Sequence, residues 1–508
     1  MNIHRAWVTQ LPELDDRRRE TSGALDTVTQ SALGQYLTPD AIAEFMASLF
    51  LPMTGEPRIL DAGAGIGSLS AALISHLYEQ NEQRVQLTCV ERDGLMLSGL
   101  EETLAQLGSK SLNLASEIVP EDYIEASCFF DRLSGFTHAI LNPPYKKLPR
   151  KSVQATELRR AGVYVPNLYA AFLMLAARQL VPNGQMVAIV PRSFCNGPYF
   201  KAFRQAFFKL MSLTRVHVFE SRRSAFSDDK VLQENIIFHA VKRTGQGPVE
   251  VSVSPTADFE VRDDRQQPLD MMSHTLDAGE LFLPGDDSLI IHLPTSRADR
   301  HAARTIQAMP ETLASLGVSI STGPVVDFRH KAALYKYNGP SRVPLIYAQN
   351  LRGRALKWPL DGRKAQYIEV TDATRPYLMP TSGNYVVTKR FSSKEETKRI
   401  VATVAVPPEG HRLCGWENHL NVFHANKAGL NTRLANGLSA YLNSTLVDRY
   451  FRVFNGHTQV NATDLRFLRY PSLDTLEAIG GTLDANASSQ TDIDAAVEAA
   501  LCRQDEVA

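Results

Sequence analysis

The sequence contains few cysteines and no long apolar run. Its 508 residues include five scattered cysteines, which are Cys89, Cys128, Cys195, Cys414 and Cys502. Because no two of them form a CxxC pair, the pattern argues against both a disulfide framework and a zinc site. No window approaches roughly 18 uninterrupted apolar residues, so we expect no membrane span. The N-terminus lacks the apolar core of a secretion signal, and a reducing cytoplasm is the expected compartment.

A net charge is almost absent as well, but the charges are unevenly distributed. The formal net charge is −1, although residues 321–470 contain 22 Lys and Arg against 10 Asp and Glu, a net charge of +12. Residues 471–508 have a net charge of −7, which leaves −6 for residues 1–320. A basic block within a neutral chain is typical of a domain that binds a polyanion. The block lies where the chain changes from regular alternation of strands and helices to short strand-like runs mixed with Pro and Gly. We therefore expect nucleic-acid binding rather than chance clustering of charge.

Short apolar runs alternate with helical stretches between about residues 40 and 242. The runs that have the Val, Ile and Leu content of strands covered on both faces are 58–65, 85–91, 137–142, 184–191, 214–220 and 234–242. This alternation predicts an α/β fold with a doubly wound, mostly parallel sheet. The link between the last two runs has no crossover helix, so we expect those strands to pair antiparallel at one edge of the sheet.

The alternation of strand-like and helical stretches ends near residue 245, where "TGQGPVE" indicates a boundary. Beyond it, short strand-like runs mix with Pro and Gly and end in a helical segment, and no internal repeat is found. We therefore predict an N-terminal arm at 1–33, an α/β domain at 34–245, a mixed α+β domain at 246–476 and an acidic tail at 477–508.

A glycine-rich turn joins the first predicted strand to the helix after it. In "LDAGAGIGS" the alternating glycines are Gly63, Gly65 and Gly67. Glycine lets the backbone approach a ligand closely, and dinucleotide, flavin and nucleoside sites all use such a turn. Glu91 ends the next strand, where a carboxylate can accept hydrogen bonds from ribose hydroxyls; a solvated strand-end charge is the alternative. Asp61 would repel a pyrophosphate but attract an amino group, which favours a nucleoside joined to an amino acid, as in S-adenosylmethionine.

The motif "NPPY", residues 142–145, lies at the end of a strand, where open α/β sheets bind ligands. Asn142 presents a side-chain acceptor, and the Pro143 carbonyl presents another on a backbone that the prolines hold rigid. Two convergent acceptors fit a planar NH2 group and help its nitrogen to attack an electrophilic methyl group. Tyr145 can stack on that flat group and orient it. A Pro-Pro corner alone would explain Pro143 and Pro144 but not the flanking Asn142 and Tyr145.

These motifs and their order resemble those of γ-class N6-adenine DNA methyltransferases of bacterial restriction–modification systems. The resemblance covers residues 34–242 well and the C-terminal half more loosely. It implies a Rossmann-like, S-adenosylmethionine-dependent catalytic domain at 34–245 and a DNA target-recognition domain at 246–476. Double-stranded DNA with a specific short sequence, from which an adenine is flipped out, is then the expected partner. A cognate restriction endonuclease is expected as a separate protein, and neither a monomer nor a dimer is favoured.

The resemblance also assigns roles to individual residues. The implied cofactor-binding residues are Thr38, Asp61, Ala62, Gly63, Gly65, Glu91, Asp122, Tyr123 and Asn142. Within this set Thr38 would contact the methionine end of the cofactor, and Asp122 with Tyr123 would hold its adenine. The implied catalytic residues are Asn142, Pro143, Pro144, Tyr145 and Phe226. Phe226 would pack against the flipped base, although a loop Phe packed on the sheet edge is the alternative.

Other functions stay open on the sequence alone. Enzymes that methylate a protein glutamine use the same motif but are much shorter. Methylation of an RNA base or of N4 of cytosine is a further alternative, and enzymes of the last kind usually have Ser where Asn142 stands. A non-catalytic DNA-specificity subunit belongs to a different class, which the intact Asp61, Glu91 and Asn142–Tyr145 disfavour. The segment 411–424 has three His and one Cys, but the ligand spacing is wrong for zinc, so no metal is expected.

Overall fold

The computed structural model describes residues 11–24, 36–79, 84–110, 113–129, 133–221, 234–262, 265–362, 364–392, 396–456 and 458–505. The chain divides into two compact units, residues 1–295 and 296–508. Over the described residues, helices are too short or too polar to cross a membrane.

A sheet forms the centre of the first unit, and it has nine strands among the described residues. Its strands are β1 (Arg58–Ala62), β2 (Val85–Val90), β3 (Leu114–Val119), β4 (Phe136–Leu141), β5 (Leu180–Pro191), β6 (Met211–Phe219), β7 (Asn235–Lys242), β8 (Val249–Ser254) and β11 (Met272–Leu276). The order across the sheet is β11-β8-β6-β7-β5-β4-β1-β2-β3. A separate hairpin joins β9 (Phe259–Arg262) to β10 (Arg265–Pro268).

The strand directions confirm the predicted doubly wound, mostly parallel fold. Strands β3, β2, β1, β4 and β5 are parallel to one another, and β6 and β8 are parallel to each other. The last two predicted strands do pair antiparallel, as β6 and β7. However, β7 lies between β5 and β6 rather than at the edge, and the antiparallel edge strand is β11.

The first unit also extends further along the chain than the predicted boundary at residue 245. Strand β8 pairs in parallel with β6, and β11 then pairs with β8, so residues up to 276 complete the sheet. Val249, Val251 and Val253 are buried while Glu250 between them is exposed, which is the alternation of a strand with one covered face. The boundary between the units therefore follows residue 295.

Helices cover both faces of this sheet. They are α1 (Leu11–Ala24), α2 (Asp40–Ser48), α3 (Ser68–Glu79), α4 (Gly94–Lys110), α5 (Tyr123–Phe129), α6 (Val153–Arg160), α7 (Leu168–Gln179), α8 (Lys201–Phe207) and α9 (Ala278–Leu281). Neighbouring residues of one strand enter opposite cores, because side chains alternate along a strand. Ile140 packs into the core under α2 and α3, whereas Leu141 packs into the core under α7. The sheet is thus buried on both faces at the point where β4 ends.

The second unit is a mixed α+β structure. Its strands are β12 (Ser319–Thr322), β13 (Leu334–Tyr335), β14 (Arg342–Ile346), β15 (Leu351–Arg352), β16 (Ala355–Leu356), β17 (Tyr367–Glu369), β18 (Leu378–Pro380), β19 (Tyr385–Lys389), β20 (Ala402–Ala405), β21 (Leu413–Trp416) and β22 (Leu420–His424). They form sheets in the orders β12-β22-β19-β20, β13-β17-β14-β21-β18 and β15-β16. Its helices are α10 (Arg297–Gln307), α11 (Thr432–Asn443), α12 (Thr445–Phe454), α13 (Ala462–Phe467), α14 (Leu473–Thr482) and α15 (Gln490–Asp505).

The acidic C-terminal segment belongs to this second unit and folds as helices α14 and α15. Helix α14 approaches α11 closely because a glycine lies at the contact on each helix. A Cβ built on Gly437 would overlap the carbonyl oxygen of Leu476, and one built on Gly480 would overlap the carbonyl oxygen of Arg433. Backbone atoms cannot move aside as a side-chain tip can, so this contact requires glycine on both helices.

We predict that Gly437→Ala lowers the free energy of unfolding of the chain by about 1–3 kcal/mol, because the helices must separate. Gly481→Ala in the same α14 is the matched control, since the nearest heavy atom to its Cβ would be Arg433 Nε at 4.0 Å. The control variant should gain up to about 1 kcal/mol from helix propensity. Urea unfolding followed by circular dichroism measures both, and equal effects of the two substitutions would contradict the close contact.

Candidate active site

A cavity of about 250 Å³ opens in the first unit at the carboxyl ends of β1, β2 and β4. The sequence-predicted residues that line it are Gly63, Gly65, Glu91, Asp122, Tyr123, Asn142 and Pro144. The predicted residues Thr38, Asp61, Ala62 and Pro143 are buried outside its lining, and Tyr145 is half-buried. Phe226 lies outside the described residues.

The glycine turn after β1 is hydrogen-bonded to the end of β2. The N–H groups of Gly63 and Ala64 donate to the carbonyl oxygen of Val90 at 2.8 and 3.1 Å. Gly63 and Gly65 have φ of +74° and +56°, the left-handed conformation that favours glycine. The turn therefore folds over the sheet edge and leaves its backbone, without side chains, as one wall of the cavity.

Glu91 is held in place by backbone donors. Its Oε1 accepts from the N–H groups of Arg92 and Asp93 at 2.8 and 2.9 Å, and its Oε2 accepts from Gly65 N–H at 2.9 Å. A carboxylate offers about four acceptor positions, so three donors leave room for one more. The side chain is 6% exposed and lines the cavity, which makes that position accessible to a hydroxyl group of a ligand.

Asp61 is a buried carboxyl group whose acceptors are only half satisfied. Its Oδ2 accepts from the Ser70 hydroxyl at 2.6 Å, while Oδ1 has no partner among the residues that the structure describes. The pKa of Asp61 is raised to about 7, chiefly by burial; the Ser70 hydrogen bond lowers the pKa, and the charge of Glu91 contributes to raising it. A buried acceptor without a donor costs free energy, which a cationic ligand group beside Oδ1 would offset.

Asp122 and Tyr123 form another part of the cavity lining. Asp122 accepts from Ile124 N–H at 2.9 Å at the start of α5 and forms an ion pair of 2.8 Å with Arg92. The Tyr123 hydroxyl donates to Gln179 Oε1 at 2.6 Å, and its ring centroid lies 4.8 Å from that of Phe172. Burial raises the pKa of Tyr123, so its hydroxyl stays protonated. Since Ile124 and Phe172 also line the cavity, this wall offers an apolar surface to a flat ring.

The Asn142 side chain has a defined orientation. Its Nδ2 donates to the carbonyl oxygen of Tyr36 at 2.8 Å and to Thr38 Oγ1 at 3.0 Å. The Tyr36 carbonyl can only accept, so the amide nitrogen must be the atom that faces it. Oδ1 therefore points away from Thr38, and the Tyr145 hydroxyl lies 3.3 Å from it and 3.3 Å from the carbonyl oxygen of Ile189.

The Pro143 carbonyl supplies a second acceptor beside Asn142. No donor among the described residues bonds to it. By contrast, the carbonyl oxygen of Lys146, three residues further along the chain, accepts from Leu168 N–H at 2.9 Å. The two residues that follow β4 thus carry an amide oxygen and a backbone carbonyl oxygen with spare capacity, and Asn142 lines the cavity. This arrangement can bind a planar amine that has two N–H bonds.

Three important contributors were not predicted from the sequence. Tyr36 acts through its backbone carbonyl, which leaves no signal in side-chain chemistry. Phe172 lies in the continuous apolar helix α7, where one ring cannot be distinguished from the core. Arg92 directly follows Glu91, and only the ion pair with Asp122 shows that it spans the cavity wall.

Several cations of the basic region in the second unit have structural roles. Arg399 is 2% exposed and its guanidinium donates to Asn455 Oδ1 at 2.9 Å, while Arg452 pairs with Asp448 at 2.8 Å. Others pack on aromatic rings, as Arg342 does, whose guanidinium carbon lies 3.5 Å from the centroid of the Tyr335 ring. The net charge of the region therefore overstates the number of cations that are free to contact a polyanion.

Comparisons with known proteins identify close relatives. A model described as the Eco57I restriction-modification methylase matches residues 71–226. The Type II methyltransferase M.BsuBI of Bacillus subtilis is 41% identical over 510 aligned positions, which cover 97% of this chain and 99% of that protein. The Type II methyltransferase M.PstI of Providencia stuartii is 39% identical, with 97% of this chain and 98% of its own covered. M.AccI of Acinetobacter calcoaceticus is 25% identical over 44% of this chain and 39% of its own.

We predict that Asp61→Asn stabilises the ligand-free protein at pH 8 more than at pH 4.5. The folded carboxyl has a pKa of about 7, above the value of 3.8 in the unfolded chain, so the wild type loses stability as the pH rises from about 4 to 7. Asn cannot ionise and avoids this loss. Urea midpoints of both proteins at the two pH values measure the effect, with Asp372→Asn, at an exposed position, as the control. A gain independent of pH would contradict the prediction.

Proposed function

This chain belongs to the Type II restriction–modification methyltransferases, and we propose that it methylates the N6 amine of adenine in a short duplex DNA site. The methyl donor in this proposal is S-adenosylmethionine, and the methylated site is protected from a separate partner endonuclease. The observation that carries the proposal is the fixed amide of Asn142 beside the available carbonyl of Pro143.

The residues around the cavity suit S-adenosylmethionine, which when bound supplies an electrophilic methyl group. Glu91 has an acceptor position left for a ribose hydroxyl, and the apolar wall of Ile124 and Phe172 suits the adenine ring. The unpartnered Oδ1 of Asp61 suits the ammonium group of the methionine portion. Each part of the cofactor thus has a residue of matching chemistry at this edge of the sheet.

Two acceptors at the end of β4 suit the exocyclic amine of a flipped-out adenine. Its two N–H bonds can be donated to Asn142 Oδ1 and the Pro143 carbonyl, which increases electron density on nitrogen as it attacks. Preorganised groups act strongly here because they need not reorient during the reaction. The target base must leave the duplex to reach them, because an amine inside the base stack cannot enter a cavity of this kind.

Tyr145 is suited to orienting the base rather than to accepting its proton. Burial raises the pKa of Tyr145, and the neighbouring Tyr169 and Tyr36 add to the shift, so its hydroxyl stays neutral. A neutral phenol is a poor general base. The proton of the amine is therefore released after attack, when the methylated nitrogen has become acidic, and no strong base is needed beside Asn142.

We predict that Asn142→Ala lowers the single-turnover rate of methyl transfer to DNA by roughly 10²–10³-fold, because one preorganised acceptor is lost. DNA affinity should change little, since the side chain is reached only by a flipped base. Transfer of radiolabelled methyl groups and fluorescence anisotropy measure the two quantities. Methyl transfer at the wild-type rate would contradict the assignment of Asn142.

We also predict a positioning role for Thr38 that is separable from cofactor contact. Thr38→Val removes one of two acceptors that fix the Asn142 amide and should lower the rate at saturating cofactor about tenfold, a cost of about 1.4 kcal/mol. Thr38→Ser keeps the hydroxyl and should restore most of the rate.

The affinity for S-adenosylmethionine, measured by calorimetry, separates this role from the one that the family resemblance implies. A positioning role leaves the affinity of Thr38→Val within a few-fold of the wild type. If the affinity falls strongly while the rate at saturation is unchanged, Thr38 contacts the methionine portion and does not orient Asn142.

A further inference from the structure

A strongly basic segment directly follows the Asn142–Tyr145 motif. Residues 146–160 contain six Lys and Arg against one Glu, although residues 1–320 as a whole have a net charge of −6. The concentration of positive charge in the catalytic unit therefore coincides with the edge of the candidate active site. The basic region 321–470 of the second unit does not account for it.

Four of these cations are available to an external partner. Arg160 pairs with Glu157 at 2.8 Å, and Arg159 donates to the Arg150 carbonyl and the Thr156 hydroxyl, so both have structural partners. The remaining side chains are exposed, and among the described residues none of them has a carboxylate partner. They are Lys146, Lys147, Arg150 and Lys151, which together are called the cationic rim below.

The backbone that carries the cationic rim is fixed at several points. The Lys146 carbonyl accepts from Leu168 N–H at 2.9 Å, and Lys147 forms a β-bridge with Asn167. The Ser152 hydroxyl accepts from Ala155 N–H at 3.2 Å and caps helix α6. A fixed backbone lowers the entropic cost of placing these charges on a ligand, because only the side chains lose freedom.

The cationic rim runs from the cavity to the outer surface. Lys146 and Lys147 line the same cavity as Asn142, whereas Arg150 and Lys151 do not line it. A nucleotide whose base enters this cavity remains joined to its strand through a phosphate on each side. Those phosphates must therefore lie at the cavity opening, which is where the rim presents its charges.

We propose that the cationic rim binds the phosphates that flank the target nucleotide, so that the catalytic unit itself contacts the DNA backbone. The inference rests on the proposed DNA methylation. Lysine and arginine on an exposed rim suit phosphates, which are uniform along the strand, and carry no sequence information. The rim stabilises the extruded nucleotide, while sequence reading is left to other residues.

The test uses Arg150→Gln/Lys151→Gln, because neither residue lines the cavity. Lys209→Gln/Arg243→Gln is the matched control, with the same loss of charge in the same unit at exposed positions. The control residues flank the start of β6 at Met211 and the end of β7 at Lys242, at the end of the strands opposite to the carboxyl ends of β1, β2 and β4. Thermal melting confirms that both variants are folded, and calorimetry confirms that their affinity for S-adenosylmethionine is unchanged.

Binding of full-length protein to a duplex that carries its methylation site is measured over a series of KCl concentrations. Each phosphate contact contributes about 0.9 to the slope of log affinity against log salt. We expect the rim variant to lose one to two contacts, with a slope shallower by about 1–2, and the control to keep the wild-type slope. 2-Aminopurine at the target position should also show a smaller extruded fraction in the rim variant.

The outcomes separate this inference from the proposed function. A wild-type protein that methylates DNA, together with a rim variant whose salt slope and 2-aminopurine signal equal those of the control, overturns the phosphate contact and leaves the function intact. A wild-type protein that binds the duplex but transfers no methyl group to it overturns the function instead. A slope that is shallower in the rim variant but unchanged in the control supports the inference.

Discussion

The hydrogen bond from Asn142 Nδ2 to the Tyr36 carbonyl is the interaction on which the candidate site depends. A carbonyl oxygen cannot donate, so this contact decides which end of the amide faces the cavity. The orientation makes Oδ1 an acceptor beside the Pro143 carbonyl, and the chemistry proposed for this edge follows from that pair. If the amide were reversed, the site would present donors to an amine and would repel it.

The contact joins parts of the chain that are 106 residues apart in sequence. Helix α2, which begins four residues after Tyr36, packs with α3 in the core that contains Ile140 of β4, and this packing places the segment before α2 beside the end of β4. The same edge holds the buried Asp61, whose half-satisfied carboxyl costs stability in the ligand-free protein. In the proposed function this cost is offset when the ammonium group of the cofactor lies beside Asp61.

Much of the first unit could be predicted from the sequence because its strands are apolar runs separated by recognisable helices. Strand β3 was missed because it is an edge strand whose middle residues, from Ser116 to Glu117, are exposed and polar. The β8 extension was missed although Val249, Val251 and Val253 alternate in a recognisable way, since the Gly- and Pro-containing stretch before them indicated a boundary.

Site residues that act through their side chains could be predicted from the sequence, whereas a backbone acceptor such as the Tyr36 carbonyl could not.

The most direct test of the proposed DNA methylation is to identify the methylated base. Purified protein is incubated with duplex DNA and S-adenosylmethionine that carries an isotopically labelled methyl group, and the DNA is digested to nucleosides for mass spectrometry. We predict that the label appears in N6-methyladenine. Label in N4-methylcytosine, or no label in DNA at all, would contradict it.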